Sequence, residues 1–208
     1  MAIQTQAIYT QLDFLRHGEP VGGRRYRGQI DDPLSEKGWA QMRAATADDR
    51  PWSAIVSSPL ARCAAFSEWL AAETGLPLSF DERLKEVGFG AWEGKTPDEL
   101  KREAPDCVFE FKRDPVRRRP PGAELLEAFH ARVTTAYEDL LAGHVGGHVL
   151  VVAHAGVMRM AICHVLGLSP AQAYSLNVAS AGMARIKVEQ KDVRRLDTLL
   201  WLTPGPRM

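Results

Sequence analysis

The sequence predicts an α/β fold, a three-layer α/β/α sandwich with a mostly parallel central sheet. Two observations carry that expectation. Short apolar runs alternate with segments of helical period over most of the 208 residues, which is the pattern of strand-helix-strand units. The run Val149-Leu150-Val151-Val152-Ala153 is apolar at every position, as a central parallel strand covered on both faces requires. The length suits a single domain spanning the chain, with a core from about residue 12 to 202.

The elements follow in order. Leu12 to Leu15 reads as a short strand running directly into Arg16-His17-Gly18-Glu19. Ser35 to about Ala47 reads as a helix capped by Ser35, although Gly38 weakens it. Ala54-Ile55-Val56 is a second strand, ending at Ser57-Ser58-Pro59; Ser58 as cap and Pro59 as first helical residue start a helix that runs to about Thr74. Thr96-Pro97-Asp98-Glu99 is a capping-box pattern opening a helix that Pro105 interrupts. From Gly122 to Leu141 the apolar residues Leu125, Leu126, Phe129, Val133, Tyr137, Leu140 and Leu141 recur at helical spacing, predicting one buried face. The strand at Val149 to Ala153 ends on His154, a helix follows from about Gly156 to Leu166, and Met183 to Val188 and Leu196 to Leu202 are the last two strands. No internal repeat is visible, and the one linker-like stretch is Arg113 to Gly122.

Composition narrows the function. Lys and Arg number 26 against 26 Asp and Glu, so nothing draws the whole chain to nucleic acid or to an anionic membrane, and any anion site has to be local. Cys63, Cys107 and Cys163 are distant in sequence and show no paired metal-ligand spacing, which disfavours a disulfide framework and suits a reducing compartment. The start, from Met1 to Thr10, lacks a basic segment followed by an apolar stretch. The expectation is an unanchored, cytoplasmic protein whose oligomeric state is open, a homodimer included.

Chemistry collects at the strand ends. In an open α/β sheet the ligand crevice lies beyond the carboxyl ends of the strands. Arg16 and His17 follow the first strand, Arg62 lies one helical turn past the second, and His154 follows the third. Such a cluster suits a phosphoryl group, because arginine offers a planar fork of donors and keeps its charge. Helix amino termini after Ser58 and His154 would add backbone donors. Two histidines go beyond binding: a neutral imidazole can attack phosphorus and carry the group covalently. Arginines beside it would hold the transferring oxygens and keep a proton off the nucleophile. A leaving oxygen needs a proton, and Glu86, set among the glycines of Glu86-Val87-Gly88-Phe89-Gly90, is the candidate donor, with Glu19 and Glu93 as rivals. Arg24, Arg25 and Arg27 could line the mouth, as could Arg117 to Arg119 in the role of a lid. Taken singly, each of these residues reads better as structure: a lone histidine at a strand end is commonly just hydrogen-bonded, and a charge run is commonly a solvated loop. Their shared location reverses that order. No compact metal-ligand spacing and no dinucleotide-binding glycine turn is present, so neither a metal nor a cofactor is expected.

These motifs resemble a known family. Leu15-Arg16-His17-Gly18-Glu19, Ser57-Ser58-Pro59-Leu60-Ala61-Arg62, Glu86 ahead of Phe89-Gly90-Ala91-Trp92-Glu93-Gly94, and Val152-Ala153-His154-Ala155-Gly156 are similar, in order and spacing, to the histidine phosphatases of the phosphoglycerate mutase-like superfamily. The resemblance covers residues 12 to 190. It implies a phosphoglycerate mutase-like fold and a metal-independent phosphatase acting on a small phosphorylated metabolite through a phosphohistidine. It further implies His17 as nucleophile, Arg16, Arg62 and His154 completing the phosphate pocket, and Glu86 as proton donor and later base. Gly23 stands where the family often has an Asn that contacts phosphate, Ala155 stands where Gly is usual, and Leu125 stands where Ser is common. Gly23 and Ala155 are therefore placed with Arg27 among the substrate contacts. The opening Arg-His-Gly-Glu-Pro with Gly22-Gly23 and Tyr26-Arg27-Gly28 looks most like the alpha-ribazole phosphatase branch of cobalamin biosynthesis. The alternatives are a phosphoglycerate mutase-type transfer and a catalytically silent phosphate-binding module.

Overall fold

The structure, a computed structural model, describes residues 6–48 and 50–206; part of the start considered above lies outside them. Six strands form one sheet in the order β3-β2-β4-β1-β5-β6. They are β1 (Ile8–Arg16), β2 (Ala54–Ser57), β3 (Leu78–Phe80), β4 (His148–Ala153), β5 (Met183–Lys191) and β6 (Arg194–Leu202). The first four in that order pair in parallel and the last two antiparallel, as the mostly parallel expectation requires. The helices are α1 (Glu36–Ala45), α2 (Ala61–Thr74), α3 (Pro97–Glu103), α4 (Cys107–Arg113), α5 (Leu126–Gly143) and α6 (Ala155–Leu166).

Alternation along each strand builds the three layers, because successive side chains point to opposite faces. Leu12, Phe14, Val149 and Val151 pack with α5 and α6 on one face. Leu15, Leu150 and Val152 pack with Met42 of α1 and Cys63, Phe66 and Leu70 of α2 on the other. No helix among the described residues is long and apolar enough to cross a membrane. The three cysteines are free thiols.

Several boundaries move from expectation. The helix expected from Gly122 begins at Leu126, because Gly122 adopts φ 72° and the next turn is tied to the Gly88 loop: Glu124 N–H donates to the Gly88 carbonyl at 3.0 Å. Leu125, expected in the buried face, is consequently 67% exposed. Ser58 and Pro59 do not open α2; Leu60 takes the cap position and the helix starts at Ala61, capped instead by Asp31, whose Oδ1 accepts from Ala61 N–H at 2.6 Å. The capping box at Thr96 and the break near Pro105 are as expected. Gly38, which weakened the prediction of α1, has a steric reason: a Cβ there would sit 2.1 Å from the Glu19 carbonyl oxygen, and one on Gly18 would sit 2.2 Å from the Gly38 oxygen. That close approach packs α1 against the loop leaving β1.

Candidate phosphoryl-transfer site

The carboxyl ends of three adjacent strands, β2, β4 and β1, make the site, and backbone bonds latch them together. His17 N–H donates to the Ala153 carbonyl at 3.0 Å and Ser58 N–H to the Val152 carbonyl at 2.9 Å. The side chains read from the sequence converge there. The rings of His17 and His154 meet edge to face, centroids 5.2 Å apart, and His17, Arg62 and His154 are 5%, 1% and 0% exposed.

Each group is held by a specific partner. His17 Nδ1 lies 2.7 Å from the Gly18 carbonyl; a carbonyl only accepts, so the proton sits on Nδ1 and Nε2 keeps a free lone pair. Arg16 donates Nη1–H to the Val178 carbonyl at 2.8 Å. Arg62 donates to the Ile30 and Gly28 carbonyls at 2.7 and 2.8 Å. The Nε groups of both arginines are buried without a partner, and neither guanidinium forms an ion pair among the described residues. His154 Nε2 and Ser58 Oγ share a hydrogen bond of 2.8 Å, with Cys63 Sγ 3.7 Å from the same nitrogen. Glu86 reaches the cluster from the other side of the crevice. Its Oε2 accepts from Gly156 N–H, in the first turn of α6, at 3.2 Å, and its Oε1 accepts from Val87 N–H at 3.0 Å. A Cβ at 156 would lie 2.1 Å from Glu86 Oε1, so a larger residue there would push the carboxylate out of this position.

Burial and like charge set the protonation states. Burial first, then the Arg16 and Arg62 guanidiniums, hold the His17 pKa well below 6.5. Burial, Arg62 and His17 do the same for His154. Both imidazoles are therefore neutral at pH 7. Burial pulls Arg16 down to about 10, against the opposing pull of Glu86, which leaves it charged at any working pH. The Cys63 thiol, pushed by burial up to about 12, is inert as a nucleophile.

The remaining predicted contacts sit differently. Ala155 is the first residue of α6, directly after His154, and is buried. Arg27 is buried close enough to depress His17, but its fork is occupied: Nε donates to Asp32 at 2.8 Å and Nη2 to the Val21 carbonyl at 2.6 Å. Gly23 lies in a turn at φ 69°, and its N–H donates to the Pro20 carbonyl at 3.2 Å, so the backbone donor that could replace the missing side chain is in use. Glu19 pairs with Lys37 and Glu93 accepts from the backbone of Gln29 and Phe89, which separates both from the role considered for Glu86. Three residues near the cluster were given no site role by the sequence: Ser58, read there only as a helix cap and here the fully buried partner of His154, Arg159, and Tyr174. The Ser57-Ser58-Pro59 motif could have signalled the first; the other two depend on folding that brings residues after His154 over the crevice.

Comparison with known proteins gives this arrangement a context. Residues 12–199 match the model of the histidine phosphatase superfamily (branch 1). A bifunctional protein of Mycobacterium tuberculosis is 33% identical over 180 residues, covering 84% of this chain and 49% of the relative; the chain thus spans about half the length of that relative. A Shigella boydii protein named probable phosphoglycerate mutase is 30% identical over 199 residues, covering 94% of this chain and 89% of the relative. Among solved structures, a mycobacterial glucosyl-3-phosphoglycerate phosphatase in complex with VO3 superposes with a TM-score of 0.82 at 29% identity, covering 92% of this chain and 97% of that one. An alpha-ribazole phosphatase from Shigella flexneri superposes with 0.78 at 25% identity, covering 92% and 95%.

Proposed function

The chain belongs to the histidine phosphatase superfamily, branch 1, and on that premise we propose that it is a phosphomonoesterase of small phosphorylated metabolites, working through a phosphohistidine on His17. The observation that carries the reading is the pairing of a neutral His17, oriented by the Gly18 carbonyl, with two buried guanidiniums whose Nε groups have no partner and which form no ion pair among the described residues. Nε2 of His17 attacks phosphorus while the bond to the ester oxygen breaks, and Glu86 gives that oxygen its proton. Arg16, Arg62 and His154 hold the equatorial oxygens, whose charge persists through the transfer. Water then attacks the phosphohistidine, Glu86 takes its proton, and orthophosphate leaves. The whole cycle uses one domain and no metal or cofactor, and three free thiols suit a cytoplasmic setting.

Two finer readings have specific support. Dephosphorylation of alpha-ribazole 5'-phosphate is favoured by the opening motif and by the Shigella flexneri structure. Return of the phosphoryl group to a second hydroxyl is favoured by the relative named as a mutase. A panel of phosphomonoesters including alpha-ribazole 5'-phosphate, run with alkali-quenched trapping of acid-labile phosphate, tests the main reading: release of orthophosphate with label on His17 supports it, and no turnover across the panel defeats it. Conversion of 3-phosphoglycerate to 2-phosphoglycerate faster than orthophosphate release would replace it with the mutase.

A further inference from the structure

Glu86 sits on backbone that belongs to neither sheet nor helix. It lies between two short 3₁₀ turns, Glu82–Leu84 and Gly90–Trp92, so the carbonyls around it have no ladder to join and need other partners. Leu84 and Val87, each 1% exposed, seat the segment on the core. That sets its depth and leaves its direction open.

One ion pair supplies the missing partners. Arg132, in the second turn of α5, donates Nη1–H to the Arg83 and Lys85 carbonyls at 2.6 and 2.8 Å and Nη2–H to the Glu86 carbonyl at 3.2 Å. Its remaining donors go to Glu124, Nε to Oε1 at 2.7 Å and Nη2 to Oε2 at 2.9 Å, so the whole fork is used. The guanidinium rests on Phe129, 4.5 Å from the ring centroid. Glu124 Oε2 accepts from Gly88 N–H at 3.1 Å, and Glu124 N–H donates to the Gly88 carbonyl at 3.0 Å. Backbone on both sides of Glu86 therefore closes on the Arg132–Glu124 pair. Arg83 adds a tie at one end of the segment through Asp81 and Asp139, but it does not touch the backbone of Glu86 or Gly88.

We infer that Arg132 and Glu124 are positioning residues for proton transfer by Glu86: their ion pair fixes the backbone from which that carboxyl reaches the crevice. This rests on the reading of Glu86 as proton donor. An ion pair kept for stability alone has no need to bridge the chain on either side of one glutamate. Displacing a proton donor by about 1 Å costs roughly a hundredfold in rate, while His17, Arg16 and Arg62 are held by bonds that the pair does not make. Loosening the pair should thus be felt according to how much the leaving group needs its proton.

Two esters read that need. The p-nitrophenolate of p-nitrophenyl phosphate departs as an anion, whereas the alkoxide of glycerol 3-phosphate has to be protonated. The ratio of their kcat/KM values reports formation of the phosphohistidine and not its hydrolysis. Glu86→Gln sets the scale and should raise the ratio, nitrophenyl over glycerol ester, by about a hundredfold. Arg132→Lys, which keeps the charge without the fork, and Glu124→Gln, which keeps the shape without the charge, should each raise it by about tenfold. An equal loss on both esters in these two variants is the result expected of a merely structural pair and overturns the inference, as does an unchanged ratio. Either result beside a shifted ratio in Glu86→Gln leaves Glu86 as the donor. If Glu86→Gln itself leaves the ratio unchanged, the donor reading fails and the inference falls with it. If neither Arg132→Lys nor Glu124→Gln folds, amide exchange in the wild type decides: Gly88 N–H exchanging about a hundredfold or more slower than a free loop sustains the inference, and exchange at the free-loop rate ends it.

Discussion

Asp13, inside β1, and His17, the residue after its end, are four residues apart, and their surroundings follow opposite rules. Asp13 is fully buried and fully answered: Arg185 donates to both of its oxygens at 2.7 and 2.8 Å, Trp52 Nε1–H donates at 2.8 Å, and His148 Nε2 lies 2.9 Å away. Burial alone would raise its pKa, but the bonds from Arg185, His148 and Trp52 overcome that and bring it to about 2. Around His17 the guanidiniums of Arg16 and Arg62 are held by carbonyls and form no ion pair among the described residues, with the carboxylates of Glu86 and Asp31 acting on them from farther off. A buried charge that finds its partner inside the chain belongs to the fold. One that does not is waiting for a ligand, and the fold bears its cost.

The largest effect should come from His17→Ala. Without the proposed nucleophile no phosphohistidine can form there, and phosphomonoester turnover should fall by about four orders of magnitude, leaving what the arginine pocket alone provides. The thermal midpoint should change little, because the ring makes no bond that the sheet needs. Next comes the opposite change, Asp13→Ala, which removes the carboxylate that Arg185 and Trp52 bind and is expected to cost about 3–5 kcal/mol of stability, read by urea unfolding. The kcat of the molecules that stay folded should be that of the wild type. If Asp13→Ala instead removed activity at full stability, the division between the two regions would be wrong.

The same contrast governs what the sequence could reveal. The site was legible where an apolar run ended in an ionisable residue, since the strand-end rule then placed Arg16, His17, Arg62 and His154 together before any contact was known. Glu86 was readable for a different reason, its run of close-packing glycines. Residues whose meaning depends on distant partners were not legible. Arg27 looked like a mouth residue, yet Asp32 claims its fork. Arg132 gains significance only through the Lys85 and Glu86 carbonyls, which local spacing does not bring near it. β3 escaped because three residues, partly exposed at the sheet edge, carry no alternation to read. The start of α5 was misplaced because a helical period continues through Gly122, where the backbone does not.

Acid separates the two regions by the pH at which each gives way. His17 and His154 have folded pKa values below their unfolded 6.5, so the unfolded chain binds protons first and stability declines as pH drops through 6.5. Each histidine contributes about 1.4 kcal/mol per pH unit until its folded pKa is reached. Asp13, at about 2 against 3.8 unfolded, contributes about 2 kcal/mol that is intact above 3.8 and lost as pH falls through 2. Stability measured from pH 7 to 5 should therefore slope less in His17→Ala than in wild type. The His17 ring, followed by NMR, should show no titration near 6.5, because burial and the guanidiniums keep it unprotonated there; a titration at 6.5 would mean that burial does not depress His17.

The smallest effect is also the most direct probe of an unanswered charge. Orthophosphate binding the native cluster and not the unfolded chain should stabilise the protein by about 1.4 kcal/mol at ten times its dissociation constant. Arg62→Gln removes one of the cluster's guanidiniums, with its free buried Nε, and the stabilisation at the same phosphate concentration should shrink toward zero. Arg185→Gln, which alters the surroundings of Asp13 and Trp201 and not the histidine cluster, should lower stability without phosphate yet keep the full increment with it. Equal increments in all three proteins would place the anion elsewhere, and the excess of positive charge at the end of β1 would then need a different reason.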